Sequence, residues 1–249
     1  QEYKESFPFL DPAFQPVIRM GFWPGGDRDG NPFVTAETTF KVATSLHIAL
    51  LKCYYRDVRR LKRRLTFSGV DQIILNLETR LYEQAFLRTS ETIESPEDIL
   101  TPLIEIKKLL EQNHNSLFIN IVDSLINKVF CFGIHFAFID IRQENAVHTE
   151  VIDSVLNSHG LLQHYHTLND VEKADFLLKS DITASSVTFE NEVYADTIRT
   201  IAIVKTIQDR YGESACHRYI ISQCSSYLNV MEVLGLFKMS GWDENKIHM

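Results

Sequence analysis

Apolar positions along the chain recur mostly at steps of three and four. From Ala43 they fall at Leu46, Leu50, Tyr54, Val58, Leu61 and Leu65, the spacing that keeps side chains on one face of a helix. Thr35 stands ahead of this stripe as an N-cap, with Glu37 in the first turn. The pattern predicts a helix of about eight turns. Another is predicted from near Val70 to Phe86. A third starts at Ser95-Pro96-Glu97-Asp98, where a capping serine precedes a proline at the first helical position and an acid follows. Pro102 is expected to bend or interrupt it early. A fourth fills residues 117–132 and stops at Gly133. Beyond these, helices are predicted over 145–160, 169–179, 190–211 and 225–240, with Gly212 and Gly241 ending the last two.

Three stretches break the helical spacing: residues 17–23, 134–141 (IHFAFIDI) and 217–223 (HRYIISQ). The second is β-branched, aromatic and apolar on both faces, as in a strand covered on both sides. Strands separated by helical crossovers form parallel sheets. The expected fold is therefore mostly α with a few short parallel strands. These are too few for a closed (β/α)8 barrel. The arrangement reads as about three consecutive β/α units, a partial barrel with long helical insertions. The alternative is a self-contained helical domain with a small sheet.

Composition narrows the function classes. The 249 residues, 45% apolar and 23% charged, suffice for one large domain or two small ones. A formal net charge of −8 argues against a nucleic-acid partner, and no apolar run approaches a membrane span. Cys53, Cys131, Cys216 and Cys224 form no CxxC pair and read as small buried apolar residues in a reducing compartment. The chain opens Gln-Glu-Tyr-Lys-Glu, with neither an initiator Met nor an apolar signal core, and reads as a piece of something longer.

Candidate chemistry gathers at two turns. The first, GFWPGGDRDG over 21–30, holds four of the ten glycines and continues into Asn31 and Pro32. Asp27, Arg28 and Asp29 place a cation between two carboxylates on a tight turn. A calcium loop is excluded, because the EF-hand spacing would put Gly25 and Ala36 at ligand positions. A nucleotide P-loop lacks its Gly-Lys-Ser/Thr. What remains is a charged strand-to-helix turn at the carboxyl end of a parallel sheet, where ligands bind. Otherwise Arg28 simply pairs with its flanking acids. The second turn, Asp140-Ile141-Arg142-Gln143-Glu144, ends the middle strand. Alternation puts Phe136, Phe138, Asp140 and Arg142 on one face. An arginine there needs an anionic ligand or a structural partner such as Asp140 or Glu144. The run Arg56–Leu65 (RDVRRLKRRL) carries six basic residues but no interleaved aromatics, so a solvated helix face is expected. No histidine pair has zinc-protease spacing, and no nucleophile elbow is present.

At these residues the chain resembles a known family. Gly25-Gly26-Asp27-Arg28-Asp29-Gly30-Asn31-Pro32 with Val34-Thr35 is similar to the Gly-Gly-Asp-Arg-Asp-Gly-Asn-Pro signature of phosphoenolpyruvate carboxylases. Ile139-Asp140-Ile141-Arg142-Gln143-Glu144, with His148 beyond, resembles the family's Leu-Asp-Ile-Arg-Gln-Glu segment. Tyr219-Ile220-Ile221-Ser222 and the helix through Val230-Met231-Glu232-Val233 resemble a later one. Departures are Pro24 where Met or Ile is usual, Asn145 for a common Ser, and Val147 at an often basic position.

The resemblance implies a tetrameric, cytoplasmic enzyme built on a (β/α)8 barrel. It joins bicarbonate to phosphoenolpyruvate with Mg2+ or Mn2+, giving oxaloacetate and phosphate. Arg142 would hold the substrate phosphate, with Asp27, Arg28, Asp29, Asn31, Asp140 and Gln143 lining the site. The family's Thr-Ala-His-Pro-Thr histidine, its Gly-Arg-Gly-Gly loop and its two metal-binding carboxylates have no match here. The resemblance therefore implies a central section of the enzyme, without a metal of its own and inactive alone.

Overall fold

A computed structural model describes residues 18–31, 33–89 and 92–243; Val17 of the first predicted strand and Pro32 of the first turn lie outside them. The elements run β1 (Gly21–Phe22), α1 (Ala36–Lys62), α2 (Val70–Tyr82), α3 (Glu97–Asn113), α4 (Ile119–Phe132), β2 (Phe138–Glu144), α5 (Asn145–Ser158), α6 (Leu162–Thr167), α7 (Asp170–Lys179), α8 (Glu192–Tyr211), β3 (Arg218–Ser222) and α9 (Tyr227–Met239). The described residues divide into two compact units. One holds 18–20, 45–89 and 92–137, the other 21–31, 33–44 and 138–243. No described helix is long and apolar enough to cross a membrane.

The first unit is helical. Its core joins Leu50, Tyr54, Val58 and Leu61 of α1 to Ile74, Leu77 and Leu81 of α2, Leu103, Ile106 and Leu110 of α3, and Val122, Leu125 and Val129 of α4. The three-four stripe of α1 is thus its buried face, continued past the helix end by Leu65. Tyr54 is buried among these residues and donates its hydroxyl to the Gly133 carbonyl at 2.8 Å. Pro102 does not interrupt α3, which runs through it. The proline removes the N–H that would have bonded Asp98, four residues back. The Asp98 carbonyl accepts instead from Arg80 Nη1 at 3.3 Å, while the Asp98 carboxylate accepts from the backbone of Glu94 and Ser95 and from Arg80. A side chain from α2 therefore supplies the donor that the proline lacks.

Helix α2 passes into a π-helical turn over Glu83–Leu87 that periodicity does not predict. Its inward residue, Gln84, accepts from Ile93 N at 2.8 Å and donates to Ile93 O at 3.0 Å. Such a wide turn rotates the side chains beyond it out of helical phase.

The second unit contains the sheet. All three strands are parallel in the order β1-β2-β3, with Gly21 opposite Phe138 and Asp140 through Glu144 opposite Arg218 through Ser222. The strand expected over 134–141 begins four residues late. Phe136 takes a positive φ of 71° and donates its N–H to Phe132 O at 3.0 Å, so the chain still turns out of α4 before it extends. Tyr219 and Ile221 of β3 pack with Val151, Ile152 and Val155 of α5 and Val233, Leu236 and Phe237 of α9. Asn169 and Glu172 form the capping box that starts α7. Of the four cysteines, Cys216 is buried and its thiol is pushed up to about 12 by burial. Cys53 and Cys224 are exposed and Cys131 is half-buried: the stripes that bury their neighbours on α1 and α4 turn Cys53 and Cys131 outward, and Cys224 lies in the connection between β3 and α9.

Candidate functional site

The loop after β1 runs on beside β2. Asp27 bridges to Arg142 in parallel register, with Arg142 N donating to Gly26 O and Arg28 N donating to Arg142 O, both at 2.9 Å. Gly26 is required by this approach, since a Cβ there would lie 2.0 Å from the Asp140 carbonyl. Gly25 takes a φ of +86°, and its carbonyl accepts from Thr39 Oγ1 at 2.6 Å, which ties the loop to the first turns of α1.

Extended backbone sends alternate side chains to opposite sides, and this alternation sorts the charged triplet. Asp27 and Asp29 turn one way and meet Arg142: Nη2 lies 2.7 Å from Asp29 Oδ2 and Nη1 lies 3.5 Å from Asp27 Oδ2. The guanidinium sits 5.6 Å from the Trp23 ring centroid, and its side chain remains 30% exposed. Arg28 turns the other way and is buried, ion-paired with Asp196 and bonded to Thr200 Oγ1 of α8. Asp196 also accepts the Ala36 N–H at 3.2 Å, placing a carboxylate on the first peptide of α1, where the helix dipole favours it. Arg28 therefore does not pair with its flanking acids. Those acids hold Arg142, and neither Asp140 nor Glu144 does.

The remaining predicted residues fall on two sides of β2. Asp140 shares the Arg142 face and is buried, and its Oδ1 has no partner among the described residues. Its register partner Arg218 lies over the Phe138 ring at 4.3 Å. Gln143 is on the opposite face, buried, with Oε1 accepting from Glu144 N at 3.0 Å. Together with Arg28, Asn31, Thr35 and Asp196 it lines a cleft of about 310 Å³. Asn31 caps its own turn by accepting from Phe33 N at 3.1 Å. The predicted residues thus form two groups, Asp27, Asp29, Asp140 and Arg142 on one face and Arg28, Asn31 and Gln143 on the other.

Asp196 and Thr200 escape sequence reasoning, and Tyr219 enters it only as part of the later matched segment. A signal was present for Asp196: it lies in phase with the buried positions Thr200, Ile201 and Val204 of α8, and a carboxylate in such a stripe demands a partner. Nothing in the sequence says that the partner lies 168 residues away. His148 is fully buried, with Nε2 2.9 Å from the Tyr219 hydroxyl. Burial, with the Arg28 charge adding to it, lowers its imidazole to about 4. It is a neutral packing group at neutral pH.

These parallel strands, with their charged strand-to-helix turns at the carboxyl ends, define an α/β protein whose polar site is organised by β2. A sequence profile of the phosphoenolpyruvate carboxylase family matches residues 1–85 and 74–248, and the chain belongs to that family. It is 26% identical over 97% of its length to a phosphoenolpyruvate carboxylase of Thermosynechococcus vestitus. Similarity to the enzymes so named of Nitrosomonas eutropha and Shewanella loihica is 25% over 92% and 30% over 90% of the chain. In each case the chain spans about 29% of the relative's length.

Two predictions follow from this geometry. Asp196→Ala leaves Arg28 buried without a counter-charge and is expected to cost about 3–5 kcal/mol. Denaturant titration measures this, and Arg28→Met combined with Asp196→Leu should recover much of the loss. His148 makes stability depend on pH. Its folded value, about 4, lies below the ordinary 6.5. The unfolded chain therefore binds the proton more readily, and stability is fully present above pH 6.5 and lost as pH falls toward 4. Glu232, raised by burial, acts in the opposite sense. The direct check is the His148→Asn variant, whose urea midpoint should fall less than the wild type's between neutral pH and pH 5.

Proposed function

We propose that this chain is the central section of a phosphoenolpyruvate carboxylase in which Arg142 holds the phosphate of phosphoenolpyruvate. The parent reaction joins bicarbonate to phosphoenolpyruvate and gives oxaloacetate and phosphate. The observation that carries this reading is the family match running over almost the whole chain. On this proposal β1, β2 and β3 are consecutive strands of a (β/α)8 barrel, and the parent is a cytoplasmic homotetramer.

Arg142 suits the role chemically. A guanidinium presents five N–H donors in a planar fork, and fixed positive charge stabilises a phosphoryl group during transfer. Asp29 and Asp27 hold its two terminal nitrogens, which orients the fork before a ligand arrives. They also leave the local formal charge at −1, two carboxylates against one guanidinium. An incoming phosphate is repelled unless further cations approach from elsewhere in the enzyme. Mg2+ or Mn2+ would supply such charge. Among the described residues no three His, Cys, Asp or Glu side chains converge to hold a metal, and Asp27 and Asp29 face Arg142. The residues described here do not fit the metal, whose ligands we assign to the rest of the enzyme.

The occupied fork also favours a second reading, a helical scaffold or anion-binding domain in which Arg142 is structural. Two experiments separate these. The 249-residue chain, supplied with phosphoenolpyruvate, bicarbonate and Mg2+, is expected to form no oxaloacetate in a coupled malate dehydrogenase assay. Turnover above blank would refute the assignment of missing groups to other segments. In an enzyme of the relatives' length, Arg142→Lys keeps the charge but loses the fork. It should lower kcat/KM for phosphoenolpyruvate by about tenfold or more at an unchanged melting temperature. Normal kinetics with a lowered melting temperature would establish the scaffold reading instead.

A further inference from the structure

The basic run of α1 is not absorbed by the site around Arg142, and the fold changes its meaning. Lys52, Tyr55, Arg56 and Arg59 follow the i, i+3, i+4, i+7 spacing and share a helix face. Against this face stand Tyr82, at the end of α2, and Phe86, in the π-helical turn. The Tyr55 centroid lies 5.6 Å from Tyr82 and 5.2 Å from Phe86, and Tyr82 and Phe86 stack at 5.4 Å. Lys52 Nζ sits 5.3 Å over the Phe86 ring and Arg59 5.6 Å over Tyr55. Tyr82, Phe86 and the adjoining Leu87 are 41%, 44% and 53% exposed. The aromatic partners missing from the basic segment itself are thus supplied by α2 and the turn that follows it.

The charge around this pad is unbalanced. Glu78 serves both Arg59 and Lys62, and Asp57 serves both Arg60 and Lys128. Lys52, Arg56 and Arg63 have no ion pair among the described residues. Glu83 is the one carboxylate of the π-helical turn itself, next to Tyr82. A cationic surface on a chain of net charge −8 marks a place where an anionic partner is attracted while the rest of the protein repels it. Ring geometry selects the kind of partner. Tyr82 stacks on Phe86, Tyr55 meets Phe86 edge-on, and Lys52 and Arg59 lie over the Phe86 and Tyr55 rings, so ring faces are already engaged within the cluster. Stacking of successive nucleobases needs open ring faces, whereas apolar side chains pack against the exposed edges that remain.

We propose that Tyr55, Tyr82 and Phe86, ringed by Lys52, Arg56 and Arg59, form a docking surface for an acidic segment of another protein chain that carries aromatic or apolar side chains. Carboxylates of the segment meet the three cations, and its apolar side chains cover Tyr82, Phe86 and Leu87.

The test uses the 249-residue chain and three labelled probes in fluorescence anisotropy: a random glutamate–tyrosine copolymer, polyglutamate and oligo(dT). The copolymer is expected to bind saturably, and at least about tenfold more tightly than polyglutamate. Phe86→Ser and Lys52→Glu should each weaken it about tenfold, with unchanged circular dichroism and melting temperature, since both side chains lie at the surface. If Phe86→Ser perturbs the fold, Tyr82→Ser replaces it in the same comparison. Absence of copolymer binding, or binding unaffected by these substitutions, would overturn the proposal. Tighter binding of oligo(dT) than of the copolymer would also overturn it, in favour of a single-stranded nucleic-acid surface.

Discussion

The buried ion pair between Arg28 and Asp196 is the constraint on which the polar site depends. Removing two charges from water is costly, and the cost is offset only where geometry and further hydrogen bonds satisfy both partners. Here Thr200 adds an acceptor for Arg28, and the first peptide of α1 adds a donor for Asp196. One cluster thereby ties together the loop after β1, the start of α1 and the middle of α8. With Arg28 held on one side of the extended segment, Asp27 and Asp29 have no choice but the other. The orientation of Arg142 is thus set from the opposite face of the sheet, through three consecutive residues.

This arrangement explains why the loop is so rich in glycine. Gly26 lets the backbone run within bonding distance of β2, where any side chain would strike the Asp140 carbonyl. Gly25 takes the left-handed conformation open to glycine, and its carbonyl accepts from Thr39 of α1. The loop is an edge strand made irregular so that its charges can be sorted. Asp140 is buried beside it, and its Oδ1, like Arg28 Nε, has no partner among the described residues.

Much of this was legible in the chain itself. The buried stripe of α1 and the stops at Gly133, Gly212 and Gly241 follow from local rules, each resting on periodicity or a turn residue within a few positions of its effect. The parallel sense of the strands follows from the helical crossovers between them. Two charged turns could likewise be singled out, because charged residues at strand ends are locally visible. Their partners could not. Arg28 beside Asp27 and Asp29 looks self-neutralising in one dimension, yet alternation of the extended backbone separates them and joins each to a residue more than a hundred positions away.

The same reason accounts for the other differences. Pro102 looks like a helix breaker until Arg80 arrives from α2 to bond the carbonyl it leaves free. Lys52 and Arg59 look like solvated charges until packing places Tyr55 beneath Arg59 and Phe86, in the π-helical turn that Gln84 anchors to Ile93, beneath Lys52. By itself the sequence determined most of the helices and the three strands, their order, the family and the positions where charge had to be resolved, since these depend on neighbours along the chain. The helix Leu162–Thr167 and the π-helical turn it did not show. Which charge meets which, and which face each side chain takes, only the tertiary structure decided. Those outcomes depend on register and packing between segments that no local pattern relates.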